Sequence, residues 1–228
     1  MLASGLTKLS VVIPIGPDEL AWPQLLSALC LLDRQLEIIL VACQPLSDEI
    51  ELPVNVVCIQ SPRGRAKQLN AGARLATRDF IWFLHADSRL TSGVLPAVQQ
   101  FIAKAGRDLG YFQLKFANDG PKSVSLNAWA ANVRSRLLGL PFGDQGFIMH
   151  HVVFDQVQGF DENISLGEDL DFVVRLQASH VHLQELPAAL ITSARRYQQY
   201  GWLMTSIRHV FLTWQLTRQA RQRLSFDR

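Results

Sequence analysis

The chain has no long apolar run, no linker, few cysteines and little net charge, and each shortage removes a class of protein. Its longest apolar stretches, such as Leu25 to Leu32, fall well short of the roughly 20 residues that a membrane-spanning helix needs. No Pro/Gly/Ser-rich or low-complexity tract divides the 228 residues, and with 48% hydrophobic residues the chain can build one sizeable core. The three cysteines, Cys30, Cys43 and Cys58, are odd in number and lack paired metal-ligand spacing, which excludes a disulfide framework and a zinc site and fits reduced thiols in a cytoplasmic protein. A net charge of +2 is too small for general nucleic-acid binding, so no nucleic-acid partner is expected. Lysine is scarce as well: only Lys8, Lys67, Lys104, Lys115 and Lys122 stand among the 22 basic residues, and the arginines that remain suit bidentate phosphate contacts. The apolar run near the N-terminus, Leu9 to Ile15, is too short and too strand-like for a signal peptide, and no export is expected.

What is present alternates. Short β-rich runs at Leu9–Ile15, Glu37–Ala42, Asn55–Ile59 and Phe80–Leu84 are separated by helical patterns at Glu19–Leu32 and Arg65–Ala76. That order predicts an α/β domain with a parallel sheet. After a helix at Val94–Ala105, the run Gly110–Phe116 alternates like a half-exposed strand and Pro121–Leu138 resumes helical spacing, so the second half reads as mixed. Pro141 to Met149 reads as a turn feeding a strand, and His151–Val157 as a short helix. Ser165 to Asp171 opens a last helix, with Leu170, Val173, Val174 and Leu176 toward the core.

Three polar clusters stand out against this frame. The buried run Phe80–Leu84 ends in His85-Ala-Asp87, which delivers a carboxylate to the rim of the sheet, where open α/β sheets bind ligands. Asp87 there either holds a divalent cation against a diphosphate or turns the chain. Glu168 and Asp169 fall in the first turn of a helix, whose dipole stabilises anionic carboxylates. In Gly143-Asp-Gln-Gly146 the glycines let backbone come close to a sugar, and Asp144 and Gln145 offer hydrogen-bonding groups; a plain polar turn is the other reading.

Ser10-Val-Val-Ile-Pro14, His85-Ala-Asp87, Gly143-Asp-Gln-Gly146, Gly167-Glu-Asp169 and Ser193-Ala-Arg-Arg-Tyr197, in this order, resemble the family 2 glycosyltransferases of the GT-A fold. More narrowly, Gly64 to Gly72 followed by Phe83 to Leu90 resembles a small bacterial branch known as radical-SAM/selenodomain-associated transferases. The similarity runs from Ser10 to about Trp202. It implies a GT-A nucleotide-diphospho-sugar transferase fold, with a mixed, mostly parallel central sheet flanked by helices, and an inverting transfer from a nucleotide-sugar donor to an acceptor hydroxyl. The acceptor is a small molecule or lipid-linked.

The resemblance also implies roles. Asp87 would hold Mg²⁺ or Mn²⁺ on the donor diphosphate, and Asp169 would take the acceptor proton, with Glu168 beside it as acceptor contact or as the base itself. Pro14, Glu19, Arg65, Asn70, Asp87, Arg195 and Arg196 fall on the donor side, with the two arginines facing the departing diphosphate. His85, Asp144, Gln145 and Tyr197 fall on the sugar and acceptor side. Two positions depart from the family pattern: Gly16-Pro-Asp-Glu19 stands where relatives have Asn-Glu, and Ala42-Cys43-Gln44 where they have Asp-Asp, and Cys43 cannot accept the hydrogen bonds of an Asp. That motivates the alternative of a non-catalytic sugar-nucleotide-binding or scaffold protein. A nucleotidyltransferase is disfavoured, because Gly16 is the single glycine after the first strand.

We expect the transferase domain at residues 1–200 and an amphipathic basic extension at 201–228. Trp202, Leu203, Ile207, Val210, Phe211 and Trp214 form its apolar stripe, and Arg208, Arg218, Arg221, Arg223 and Arg228 its basic side. Packing back on the domain, pairing in a homodimer and peripheral contact with the inner face of the membrane are all open to such a helix.

Overall fold

The computed structural model describes residues 5–46, 51–104, 106–119, 123–194 and 212–223. Four strands, β1 (Leu9–Ile15), β2 (Glu37–Ala42), β3 (Val56–Gln60) and β4 (Phe80–Phe83), alternate with α1 (Trp22–Leu32) and α2 (Arg65–Leu75). All of β1 and β4 is buried, as a strand covered by helices on both faces must be. There follow β5 (Arg89–Leu90), α3 (Val94–Lys104), β6 (Leu109–Phe116), α4 (Val124–Leu138), β7 (Phe147–His150), α5 (His151–Gln156), α6 (Glu168–Ala178) and β8 (Leu183–Thr192). Residues 212–223 form a last described helix, α7.

The eight strands make one sheet in the order β3-β2-β1-β4-β7-β6-β8-β5. Pairing is parallel from β3 to β4, antiparallel on both sides of β7, parallel between β6 and β8, and antiparallel at β5. The chain steps outward from β1 to β3 and then returns to β1's other side as β4. This reversal leaves a crevice at the carboxyl ends of β1 and β4. The sheet also curls. Three strands lie between β4 and β5, about 19 Å in a flat sheet, yet the link from Phe83 to Arg89 is short and folds into a turn, with Ser88 N–H donating to His85 O at 3.0 Å. Only a curled sheet brings β5 back to meet it.

Two apolar layers sandwich the sheet. One joins α1 and α3 to it through Leu25, Leu29, Val98 and Phe101; the other joins α2, α5 and α6 through Leu69, Phe154, Phe172 and Leu176. Phe160 stacks on Phe172 at 4.3 Å between centroids. Helix α2 lies close to the sheet at Gly72, where a Cβ would sit 2.3 Å from Val12 Cγ1 and 3.0 Å from Val41 Cγ2. Glycine is required there by contact alone.

Most elements fall within a residue or two of the expected bounds. Helix α1 begins at Trp22 rather than Glu19, and α6 at Glu168. Two strands, β5 and β8, were not expected. Strand β8 carries Pro187, which the ladder tolerates only at a bulge or an edge; its register with β6 shifts between Tyr111↔Glu185 and Gln113↔Ala189, and the bulge holds the proline. Of the eleven stripe and basic residues expected in the C-terminal extension, Trp202, Leu203, Ile207, Arg208, Val210, Phe211 and Arg228 lie outside the described residues. In α7, Leu216 and Ala220 pack into the layer of α6, Arg223 pairs with Asp171 at 3.7 Å, and Arg218 lies over the exposed Trp214 ring at 5.6 Å. No helix among the described residues is long and apolar enough to cross a membrane.

Candidate active site

The carboxyl ends of β1 and β4 are built to stay in place. Pro14 is buried in β1 opposite Val41. Val12 O accepts from Leu84 N on the β4 side, so two residues on, the backbone of Pro14 faces the same side beyond the last β4 pairing. No strand partner lacks an N–H there. Gln68, on the buried face of α2, donates through Nε2 to Ile15 O at 2.8 Å and to Val41 O at 2.7 Å and so ties the ends of β1 and β2 together. Glu19 Oε1 accepts from Ala21 N at 2.8 Å, which shapes the entry to α1. The neighbouring Leu20, Ala21 and Gln24 share a cavity of about 160 Å³ with Asp87, Ser88, Arg89 and Ser193.

Asp87 stands at the far end of the turn after β4. Its Oδ2 accepts from Thr192 Oγ1 at 3.0 Å and from Ser193 N at 3.4 Å. Ser193 Oγ and Ala194 N in turn donate to the two oxygens of Asp119, each at 2.8 Å. Burial works against the Asp119 anion, but those donors, with Arg89 nearby, hold its carboxyl below the usual range. A chain of contacts thus runs from β6 through the end of β8 to Asp87.

On the other side of the crevice Asp169 is held at both oxygens. Gly143 N donates to Oδ2 and Leu170 N to Oδ1, each at 2.8 Å. The fit around Gly143 is close: a Cβ there would lie 3.0 Å from His85 Nε2 and 3.5 Å from Asp169 Oδ2. His85, Gly143 and Asp169 therefore form one cluster. Glu168 is buried beside it, with Arg65 at 3.7 Å from its Oε1. Burial, and then the Asp169 charge, push the Glu168 carboxyl above its ordinary range against the pull of Arg65. Behind these residues Leu216 of α7 fills the space over Gly167, at whose φ of 83° the backbone turns into α6.

Asp144 is half-buried as a residue, but its Oδ1 is sealed from solvent and has no hydrogen-bond partner. Burial raises its carboxyl to about 6; Arg134 and Arg65 lower it, and Asp169 and Asp87 raise it. A sealed carboxylate oxygen among three other acids is an unfavourable arrangement that a bound cation or a ligand hydroxyl would relieve.

His85, Asp87, Asp144, Glu168, Asp169 and Arg65 are thus brought together, with Pro14 and Glu19 on the rim. Two expected contacts are corrected. Gln145 is fully buried, its Oε1 accepting from Ser135 Oγ at 2.7 Å and Phe142 N at 3.1 Å and its Nε2 donating to Phe112 O at 3.0 Å, so it braces the turn instead of facing a sugar. Asn70 is buried as well: its amide donates to Phe160 O at 2.8 Å and Glu162 Oε1 at 3.0 Å and accepts from Phe160 N at 2.9 Å, which pins α2 to the loop before α6 and leaves no proton for a nucleotide. Arg195, Arg196 and Tyr197 lie outside the described residues. Gln68, Asp119, Thr192 and Arg134 were missed; the partners of the first three lie 27 or more positions away in sequence, and Gln68 stood within Gly64–Gly72 without a role assigned to it.

No group of three or more His, Cys, Asp or Glu side chains able to hold a metal is found among the described residues. The oxygen donors still suit a hard cation shared with a ligand: Asp87 offers one carboxylate, and the acid excess around Asp144 favours positive charge. Phosphate oxygens and water would supply the remaining ligands.

A family model described as glycosyl transferase family 2 matches residues 23–157, more than half of the chain. Among solved structures, the fold is similar to S. aureus TarS, with a TM-score of 0.58 and 18% identity over 82% of this chain and 35% of that one. It is also similar to residues 1–349 of TarS, with a TM-score of 0.59 and 17% identity over 82% of this chain and 58% of that one. The chain therefore spans about a third of TarS and well under two thirds of its shorter form. No curated protein sequence matches it significantly. A curled α/β sheet with acids gathered at its switch point and a family match over most of that sheet lead to one assignment: the chain belongs to glycosyl transferase family 2 and has the GT-A fold.

Proposed function

We propose that the enzyme is an inverting, metal-assisted glycosyltransferase, with Asp169 as the base and Asp87 as the protein ligand of Mg²⁺ or Mn²⁺. The observation that carries this reading is a pair of fixed carboxylates whose charges both act on Asp144: Asp169 clamped by Gly143 N, and Asp87 clamped by Thr192 and Ser193. A bound cation supplies charge neutralisation on the donor diphosphate. The protein does the rest. Asp169 accepts the proton of the acceptor hydroxyl while that oxygen bonds to the anomeric carbon and the bond to the nucleoside diphosphate breaks on the opposite face, which inverts the centre. Each Asp169 oxygen keeps a lone pair for that proton, because each accepts one backbone bond only. His85 and Asp144 border the sugar. Glu168, its carboxyl raised by burial, contacts the acceptor or is itself the base.

We further read the chain as a member of the radical-SAM/selenodomain-associated branch, on Gly64–Gly72 and Phe83–Leu90, working in the cytoplasm. Isothermal titration of UDP-, GDP- and CDP-linked sugars with and without Mn²⁺ tests the donor side. Asp87→Asn should keep the acceptor position facing Thr192 and lose the metal-dependent part of donor affinity. Equal donor affinity with and without metal in the wild type would remove Asp87 from its role.

A further inference from the structure

A second, larger cavity of about 760 Å³ opens between β6 and α4. Leu114, Phe116, Val124, Ala128, Trp129 and Val133 give it an apolar lining; Lys115 and Arg136 also border it, Arg136 paired with Glu185 at 2.6 Å, and no acid lines it among the described residues. Its inner end adjoins the reaction centre. Ala117 N, in its wall, donates to Thr192 O at 2.9 Å, and Thr192 Oγ1 donates to Asp87 at 3.0 Å, so about two strand spacings, or roughly 10 Å, separate the cavity from the presumed diphosphate position. Its outer lip is apolar and in water, with Trp129 63% and Leu126 54% exposed, and Leu137 extends the same exposed edge of α4. Contiguous apolar surface at the mouth of a site marks a place where something apolar binds.

We propose that this cavity binds the chain of a lipid phosphate acceptor, with the apolar chain along α4 between Phe116 and Trp129 and the phosphate toward Lys115. The inference rests on the glycosyltransferase reading and names the acceptor class for it. The rim acids supply the transfer chemistry; the β6–α4 cavity supplies the hold on the acceptor, and the gap at Thr192 joins the two. The acid-free lining matches an anionic head, and the open lip lets the chain enter sideways from a lipid surface.

The test is isothermal titration of the full chain with farnesyl phosphate, dodecyl phosphate, farnesol and inorganic phosphate, with a nucleotide-sugar titration on the same preparation. At least one lipid phosphate should bind more tightly than farnesol and than inorganic phosphate, and the two chains distinguish a prenyl from an alkyl source. Trp129→Ser should weaken lipid phosphate binding about tenfold, equivalent to ~1.4 kcal/mol, while Leu137→Ser, outside the cavity, should not. Lys115→Ala should weaken the phosphates and leave farnesol unchanged. Nucleotide-sugar affinity should be the same in all three variants. Absence of lipid phosphate binding overturns the proposal whether or not the donor binds, and so does wild-type affinity in both Trp129→Ser and Lys115→Ala. Loss of donor binding alone counts against the proposed reaction and not against this cavity.

Discussion

The rim of the sheet and the back of α6 both bury aspartate, and they treat it in opposite ways. At the back, Asp171 is buried and answered: Arg175 Nε donates to Oδ2 at 2.8 Å, and Arg223 of α7 lies 3.7 Å from Oδ1. At the rim, Asp144 Oδ1 is sealed without a hydrogen-bond partner, and burial, with repulsion from Asp169 and Asp87, outweighs the pull of Arg134 and Arg65. The first arrangement joins two helices. The second holds a group in an unfavourable state that a proton, a ligand or a cation relieves, and such groups concentrate at sites of chemistry. Burial by itself therefore does not separate these two aspartates; a hydrogen-bonded counter-charge does, which Asp171 has and Asp144 Oδ1 has not.

The contrast breaks most sharply if the rim carboxylates can be neutralised without loss of activity. Asp169→Asn should lower turnover by about two to four orders of magnitude, the range of general base catalysis, while donor affinity measured by titration changes little. Unchanged turnover would reduce the rim to a second structural acid cluster.

Asp144 gives the next largest effect, on stability. Its raised carboxyl binds a proton more tightly in the folded state than in the unfolded one, so its contribution is fully present below the ordinary aspartate value of 3.8 and is lost as pH rises through about 6. Asp144→Asn removes that loss. The variant should be more stable than the wild type at pH 8, by at most about 3 kcal/mol, and the gap should close toward pH 4. Urea unfolding at the two pH values measures it, and a gap independent of pH would show that Asp144 is answered after all.

Asp171→Ala should act in the other direction, destabilising by about 2 kcal/mol, as the loss of a charge-assisted hydrogen bond does. A thermal melt of the variant checks it. No loss of stability would mean that α7 is held by Leu216 and Ala220 alone.

The same division explains what could be read from the residues. Strands β1 to β4 and their helices were legible because continuous apolar runs alternate with helical spacing, and β8 was not, because Pro187 and the bulge against β6 interrupt its pattern. Asp87, Glu168 and Asp169 were legible because their places are local: the end of a buried strand and the first turn of a helix. Gln145 and Asn70 were misread because a motif shows that a residue is polar and not which way it faces. The supports of the site were silent for another reason. Thr192 reaches Asp87 across 105 positions and Ser193 reaches Asp119 across 74, and no local pattern encodes a partner that distant.

Gly72 carries a consequence of scale. With Val12 Cγ1 only 2.3 Å from where a Cβ would start, the gap between α2 and the sheet is set by a single hydrogen atom. Arg65 stands two turns away at the head of the same helix and meets Glu168 on a different one. Any side chain at 72 would wedge α2 outward like a shim under a beam, and the displacement would appear at the far end as a longer reach from Arg65 to Glu168. The spacing of the charged groups is thus gauged from inside the apolar layer, at a position with no charge and no side chain of its own.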